Sequence, residues 1–315
     1  MKNQIHSALF GVAVGDALGV PVEFQDRELL KRFPVIDMRE NGSHRQPKGT
    51  WSDDSSLTFC LADSLCNGYN LENISVKFLQ WKNAEIWTPH GSVFDIGIAT
   101  RNAIYRIAQG EQPTLCGGFD EEDNGNGSLM RILPIAFYLK DKADLNLIYQ
   151  TIKDVSSITH AHFRSVFACF IYIIYTLELL KIENKFDAYQ KTKTIVNNFI
   201  VDKEFNEREI QLFDRILKSN INEFDKDKIN SSGYVLHSLE ASFWCILNSS
   251  TYKETVLKAV NLGEDTDTTA AIAGGLAGLI YGYDEIPVEW INVLARRKDI
   301  TELCDKLDKK TLNLN

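Results

Sequence analysis

Along most of this chain apolar residues recur every three to four positions, and the strict alternation of a half-buried strand is nearly absent. The helical pattern covers 3–18, 54–67, 72–86, 96–109, 128–138, 144–158, 162–181, 187–200, 206–218, 232–248, 252–261, 266–281 and 300–312. Proline, which breaks such patterns, is scarce at 7 residues. Glycines fall mostly between the patterns or on small-residue faces within them. No Pro/Ser-rich linker, low-complexity tract or internal repeat divides the sequence. These features predict an all-α fold, a compact orthogonal helical bundle forming one domain over 1–315.

The 315 residues are 44% hydrophobic and 24% charged, enough for a sizeable core. The net charge of -9 repels phosphate backbones and anionic bilayers, so neither nucleic acid nor a membrane is an expected general partner. The 6 cysteines are scattered through apolar runs with no C-x-x-C pair and read as reduced, buried side chains. The N-terminus faintly resembles a signal peptide, but Asp16 interrupts its apolar run, so it reads as a helix of the mature protein. The apolar run 167–180 is too short to span a bilayer and holds Glu178. A cytoplasmic monomer is the expectation.

Residues 34–52 and 110–127 are long irregular stretches rich in Gly, Pro and Asn, and loops of that length in a helical domain usually carry function. The first leads into Ser52-Asp53-Asp54, which opens an apolar helical pattern. Ser and Asp are good helix caps, and one acidic residue there would need no further account. Two adjacent carboxylates beside a hydroxyl repel each other, and a hard divalent cation removes that conflict. A second cluster, Asp265-Thr266-Asp267-Thr268, opens another helix, with Asp265 and Thr268 three apart on one face. The Ala/Gly-rich run after it, 270–282, lets a second helix approach closely.

Together the clusters supply four carboxylates and at least two hydroxyls, enough to bridge two metals about 3.5–4 Å apart. Oxygen-only ligands select Mg²⁺, Mn²⁺ or Ca²⁺ over Zn²⁺. The EF-hand spacing fails, and the His and Cys ligands of a zinc hydrolase are missing.

The sequence resembles the ADP-ribosylglycohydrolase family over nearly its whole length. The resemblance rests on Gly11-x3-Gly15-Asp16-Ala17-x-Gly19-x-Pro21-x-Glu23, Trp51-Ser52-Asp53-Asp54 and Phe94-Asp95-Ile96-Gly97. It continues through Gly125-Asn126-Gly127-Ser128-Leu129-Met130-Arg131, Thr159-His160, Gly233-Tyr234-Val235 and Gly263 to Thr268. It implies an all-α domain with a central cleft holding two Mg²⁺ or Mn²⁺ ions. It implies Ser52, Asp53, Asp54, Asp265, Asp267 and Thr268 as metal ligands, with Ser52 standing where members commonly have Thr. Glu264 stands where many have Gly.

The same resemblance gives roles to residues whose bland readings are otherwise sufficient. Glu23, by itself a loop carboxylate, would contact the distal ribose or a water. Asp95, by itself a helix cap, would face the scissile bond and could hold a guanidinium. With Asp54 these are the catalytic candidates. Gly97, Asn126, Gly127, Ser128 and Met130 would bind substrate, the Gly-rich loop leading into a helix at Leu129 whose N–H groups cradle the diphosphate. His160 would stand beside the substrate and Tyr234 would stack on adenine. Asp16 reads as structural, and Arg131 as a structural ion-pair partner.

The implied reaction is hydrolysis of the bond joining ADP-ribose to an acceptor, either a modified protein or a small conjugate. Arginine-linked ADP-ribose is the first expectation, since Asp95 and Glu264 would make an acidic mouth. Serine-linked or other O-linked conjugates, including O-acetyl-ADP-ribose, are the alternative, as is a non-catalytic ADP-ribose-binding relative. An all-α phosphohydrolase would need His-Asp metal pairs, and the sequence has none.

Overall fold

The computed structural model describes residues 4–312, so residue 3 of the first expected helix and the ends of the expected 1–315 domain lie outside the described residues. Among the described residues there is no strand, only isolated bridges at Asn41–Gln46, Gly118–His160 and Gly125–Tyr234. The all-α expectation holds.

The first helix, Gln4–Gly19, is buried on every side from Ile5 onward, as a helix apolar all round must be. With the following turn, Gln4–Val22 is long and apolar enough to cross a membrane by length and composition, and its apolar window is wholly buried within the fold. Its main partner is the Ala/Gly-rich helix Thr266–Tyr281. The two backbones nearly touch. A Cβ on Gly11 would stand 2.3 Å from the Gly274 carbonyl oxygen, one on Gly15 2.1 Å from that of Ala270, and one on Gly19 2.3 Å from Asp267 Cα. Numbers rise on one helix as they fall on the other, so the pair is antiparallel. The Thr266 hydroxyl donates to the Gly19 carbonyl at 2.9 Å. This register sets the end of the first helix, and the Glu23 turn beyond it, against the Asp265–Thr268 start of the other.

Further helices surround this pair, among them Asp53–Leu65, Leu71–Ala84, Leu145–Ser157, Phe163–Leu179, Val235–Leu247 and Tyr252–Val260. Several start at side-chain caps: Asn70, Asp144, His162, Asn184 and Thr251 each accept a backbone N–H of the first turn.

The helical periodicity misreads two segments. The 128–138 pattern yields only Ile135–Leu139. Pro134 has no N–H to give the Met130 carbonyl, so a ladder running through that point is broken. The 206–218 pattern splits into Glu207–Gln211 and Asp214–Leu217 around Phe213, which is fully buried with its ring 5.0 Å from that of Phe167. The 96–109 pattern begins at Ile98. Arg27–Arg32 and Val288–Val293 are helices too short for periodicity to reveal.

Candidate active site

The first acidic cluster is fixed by Asp16, on the last turns of the first helix. Its fully buried carboxylate accepts the backbone N–H of Ser52 at 2.9 Å, the N–H of Ser55 at 3.0 Å and the Ser55 hydroxyl at 2.6 Å. The start of the Asp53–Leu65 helix is thereby docked on the first helix. Burial pushes the Asp16 carboxyl up to about 6 against the pull of these donors.

Capping accounts for Ser52 and not for the carboxylates. Ser52 Oγ accepts the Asp54 N–H at 3.2 Å, as a cap should, and its hydroxyl proton goes to Asp54 Oδ2 at 2.9 Å. Asp265 occupies the cap position of the Thr266–Tyr281 helix, yet its side chain caps nothing. Its Oδ2 instead accepts the Asn126 amide at 2.7 Å. The two clusters touch directly where the Thr268 hydroxyl donates to Asp54 Oδ2 at 3.2 Å.

The residues fit a metal centre. Asp54 Oδ1, Asp265 Oδ1 and Asp267 Oδ2 are buried oxygens with no hydrogen-bond partner, a costly condition for a carboxylate unless a cation satisfies it. Oxygens of Asp16, Asp54 and Asp267 lie within 4.8 Å of one another, as do those of Glu23, Asp265 and Asp267. Burial, then the mutual repulsion of neighbours, holds the carboxyls of Asp53, Asp54 and Asp267 well above the usual range. Asp265 is raised too, chiefly by burial. The donors are all hard oxygens, suited to Mg²⁺ or Mn²⁺.

Above the cluster opens a cleft of about 490 Å³. Its lining brings together Glu23, Asp53, Asp95, Gly97, Asn126, Gly127, Met130, His160, Asp265 and Thr268 from six separate stretches of the sequence analysis, together with Phe24, Ile98 and Thr100. Ser52, Asp54 and Asp267 lie beneath it, all buried. Glu23 is 5% exposed, and burial pushes its carboxyl up to about 7. Asp95 is raised in the same direction by burial. It does not cap a helix: the cap position is Gly97, and Asp95 sits in the left-handed region at φ 47°. Phe24, next to Glu23, and Glu264, next to Asp265, are also left-handed, at 65° and 60°. Strained backbone of this kind persists only where the surroundings over-determine it, and Phe24 and Asp95 carry it in the cleft lining itself.

The Gly-rich loop takes another form than a helix N-terminus. Gly125 bridges Tyr234, the Asn126 N–H donates to the Gly233 carbonyl at 3.0 Å, and the Val235 N–H to that of Asn124 at 3.0 Å. Only a single turn follows, closed by Met130 N–H to the Asn126 carbonyl. At Gly127 a Cβ would meet His160 Cε1 at 2.7 Å, so glycine keeps the ring against the loop. His160 bonds the Thr159 hydroxyl through Nδ1 at 2.7 Å, and burial with the nearby Arg131 charge pulls its pKa down to about 3. It is a neutral ring at physiological pH. Arg131 pairs with no carboxylate among the described residues. Fully buried, it donates to the Gly127 and Val155 carbonyls, with its guanidinium 4.8 Å from the Phe78 ring centre.

Two expected substrate contacts stand away from the cleft. The Ser128 hydroxyl is turned into the core, accepting from Ser156 at 2.9 Å. The Tyr234 hydroxyl accepts from Arg164 at 3.4 Å, and its ring meets His237 edge-on. Glu264 is exposed and off the cleft lining, so the acidic mouth is formed by Glu23 and Asp95. Sequence reasoning missed His44, whose Nε2 bonds Glu23 Oε2. The only signal for it was the length of the loop that carries it.

The ADP-ribosylglycohydrolase family model matches residues 1–314. The chain is 31% identical over 305 residues to the ADP-ribosylarginine hydrolase Tri1 of Serratia proteamaculans (strain 568), covering 95% of this chain and 77% of that one. It is 28% identical over 292 residues to the ADP-ribosyl-[dinitrogen reductase] glycohydrolase of Rhodospirillum rubrum, covering 91% and 88%. A solved ADP-ribosylglycohydrolase-related protein complex shares the fold with a TM-score of 0.80, at 28% identity over 98% of both chains. A chain matching from end to end, with its buried carboxylates gathered in this way, belongs to the ADP-ribosylglycohydrolase family, metal-dependent hydrolases of the glycosidic bonds of ADP-ribose.

Proposed function

We propose that the protein removes ADP-ribose from arginine side chains of modified proteins, using two Mg²⁺ or Mn²⁺ ions. The observation that carries the arginine linkage is the pair Glu23 and Asp95 at the mouth of the cleft, with oxygens within 4.8 Å of each other and His44. Two carboxylates there suit a planar guanidinium better than a neutral hydroxyl. The relative named as an ADP-ribosylarginine hydrolase supports the same reading.

Ser52, Asp53, Asp54, Asp265, Asp267 and Thr268 would hold the ions. Bound there, the ions would neutralise the carboxylates, orient the hydroxyls of the distal ribose and make a water easier to deprotonate. Glu23, raised to about 7, is suited to take a proton from the attacking water near neutral pH. Asp95 would face the leaving group and hold its guanidinium, and the proton taken from the water passes to the guanidine as its bond to the ribose breaks. Both carboxylates also face the positive charge that develops on the sugar as the bond to the acceptor breaks. Asn126, Gly127 and Met130 with the neutral His160 line the side left for the diphosphate. Gly97, in the cleft lining, and the half-buried Tyr234 would serve the rest of the nucleotide, while the buried Ser128 would support the loop from the core side. The reading takes 1–315 as a single domain, and takes the protein as a monomer in a reducing cytoplasm, supported by 6 free cysteines, most of them buried.

The test is a product assay on ADP-ribosyl-arginine, ADP-ribosyl-serine and O-acetyl-ADP-ribose, with Mg²⁺, with Mn²⁺ and with chelator. Release of ADP-ribose from the arginine conjugate in the presence of metal is expected. Preference for the serine conjugate would overturn the linkage, and full turnover in excess chelator would overturn the metal role.

A further inference from the structure

The loop 34–52 closes tightly on itself just before the first acidic cluster. The Asn41 N–H donates to the Gln46 carbonyl at 2.7 Å, and Asn41, Gly42 and Arg45 all adopt left-handed backbone, at φ 64°, 60° and 54°. Gly42 lies so near the first helix's exit turn that a Cβ would stand 1.8 Å from the Pro21 carbonyl oxygen. The loop brings two successive side chains onto one residue. The Ser43 hydroxyl donates to the main-chain carbonyl of Glu23 at 2.5 Å, and His44 Nε2 bonds the Glu23 carboxylate at Oε2. The His44 ring is held in turn between Phe24 and Phe94, at centroid separations of 5.9 and 5.4 Å.

A loop that merely covered the cleft would have no reason to grip both ends of one residue. We infer that His44 is a positioning residue for catalysis, fixing the rotation of the Glu23 carboxylate so that its other oxygen faces the reacting water. A carboxylate side chain has three rotatable bonds, and a proton acceptor must be held within about 0.5 Å and 10–20° of its productive geometry. The Ser43 bond fixes where the side chain starts and the His44 bond fixes where it ends. Positive φ at two non-glycine residues, Asn41 and Arg45, of a six-residue turn is what such a two-point grip costs. The inference rests on Glu23 acting in the reaction proposed above.

Two variants of the full chain test it, His44→Phe and His44→Gln. Phenylalanine fills the space between Phe24 and Phe94 without a donor, and glutamine restores an N–H donor on a planar group. Each is assayed with Mn²⁺ on whichever ADP-ribose conjugate the wild type turns over, so a wrong linkage and a wrong role for His44 give different results. The expected result is a fall in kcat of about tenfold to a hundredfold for His44→Phe. Mn²⁺ affinity and KM should stay within about threefold, and His44→Gln should recover most of kcat. A His44→Phe enzyme within twofold of wild type would overturn the inference, as would a His44→Gln enzyme as slow as His44→Phe. Loss of Mn²⁺ binding in step with kcat would also overturn it, by making His44 a support of the metal centre instead.

Discussion

Asp16 accepts the backbone N–H of Ser52 through both carboxylate oxygens, at 2.9 and 3.1 Å. One turn further along the same helix, Gly19 lies against Asp267 closely enough that a Cβ would clash with its backbone. A single helix end therefore docks the starts of two others, and that is why acidic motifs more than two hundred residues apart share one site. The arrangement leads to four expectations.

The metal-free protein should lose stability as pH rises. Buried carboxyls in the folded state hold protons more tightly than the unfolded chain, where aspartate titrates near about 3.9. Asp16 is raised to about 6 and Glu23 to about 7, and Asp53, Asp54 and Asp267 move the same way. The folded state thus binds more protons than the unfolded one through this window. The stabilising contribution is present below about pH 4 and lost as pH climbs through 6 to 7. Thermal melts in chelator from pH 5 to 8 should show a falling Tm. Mn²⁺ at a hundred times its Kd should add about 2.7 kcal/mol at pH 7.5.

Asp267→Asn should separate stability from activity. It removes one charge from a buried group of like charges, so the metal-free variant should melt higher than wild type at pH 7.5. Its rate should fall on the order of a hundredfold or more, with weaker Mn²⁺ binding. A lower melting temperature together with wild-type rate would contradict both halves.

Gly274→Ala tests the helix pair. Its Cβ would stand 2.4 Å from the Gly11 carbonyl oxygen, a backbone atom that cannot yield cheaply, with Val256 Cγ1 at 3.3 Å beside it. Overpacking of this kind costs about 1–3 kcal/mol. Denaturant unfolding should show that loss in Cm at an unchanged m-value. Because the pair sets the approach of Glu23 to Asp265, kcat should drop as well.

Asp95→Ala should cost the arginine conjugate more than the serine conjugate. A carboxylate bound to a guanidinium contributes roughly 1.5–3 kcal/mol, so kcat/KM on ADP-ribosyl-arginine should fall by about tenfold or more beyond any fall on ADP-ribosyl-serine. Equal losses on both would assign Asp95 to the sugar side of the bond.

The helices and the metal centre were legible because each has a local signature. Period in the apolar residues betrays Gln4–Gly19 and Thr266–Tyr281, and paired carboxylates at two helix starts betray the centre. What escaped depends on geometry that spacing does not encode. Pro134 interrupts the apolar pattern of 128–138, and a helix forms only beyond it, at Ile135–Leu139. Asp95 looks like a cap in sequence, and only its left-handed backbone shows that it is aimed elsewhere. Glu264 neighbours a predicted ligand yet faces away from the cleft, while His44 reaches Glu23 across a loop with no motif of its own.

The central helix pair also dictates when the site can exist. The Gly19 carbonyl waits for the Thr266 hydroxyl, 247 residues later in the chain. During synthesis the apolar helix Gln4–Gly19 is made long before its partner Thr266–Tyr281, so it must wait through the making of the intervening chain for its native cover. Contacts this distant in sequence are slow to form. No fragment that stops short of Asp265–Thr268 can assemble the acidic centre, and until that turn is made the glycine face of the first helix has no native partner to bury it.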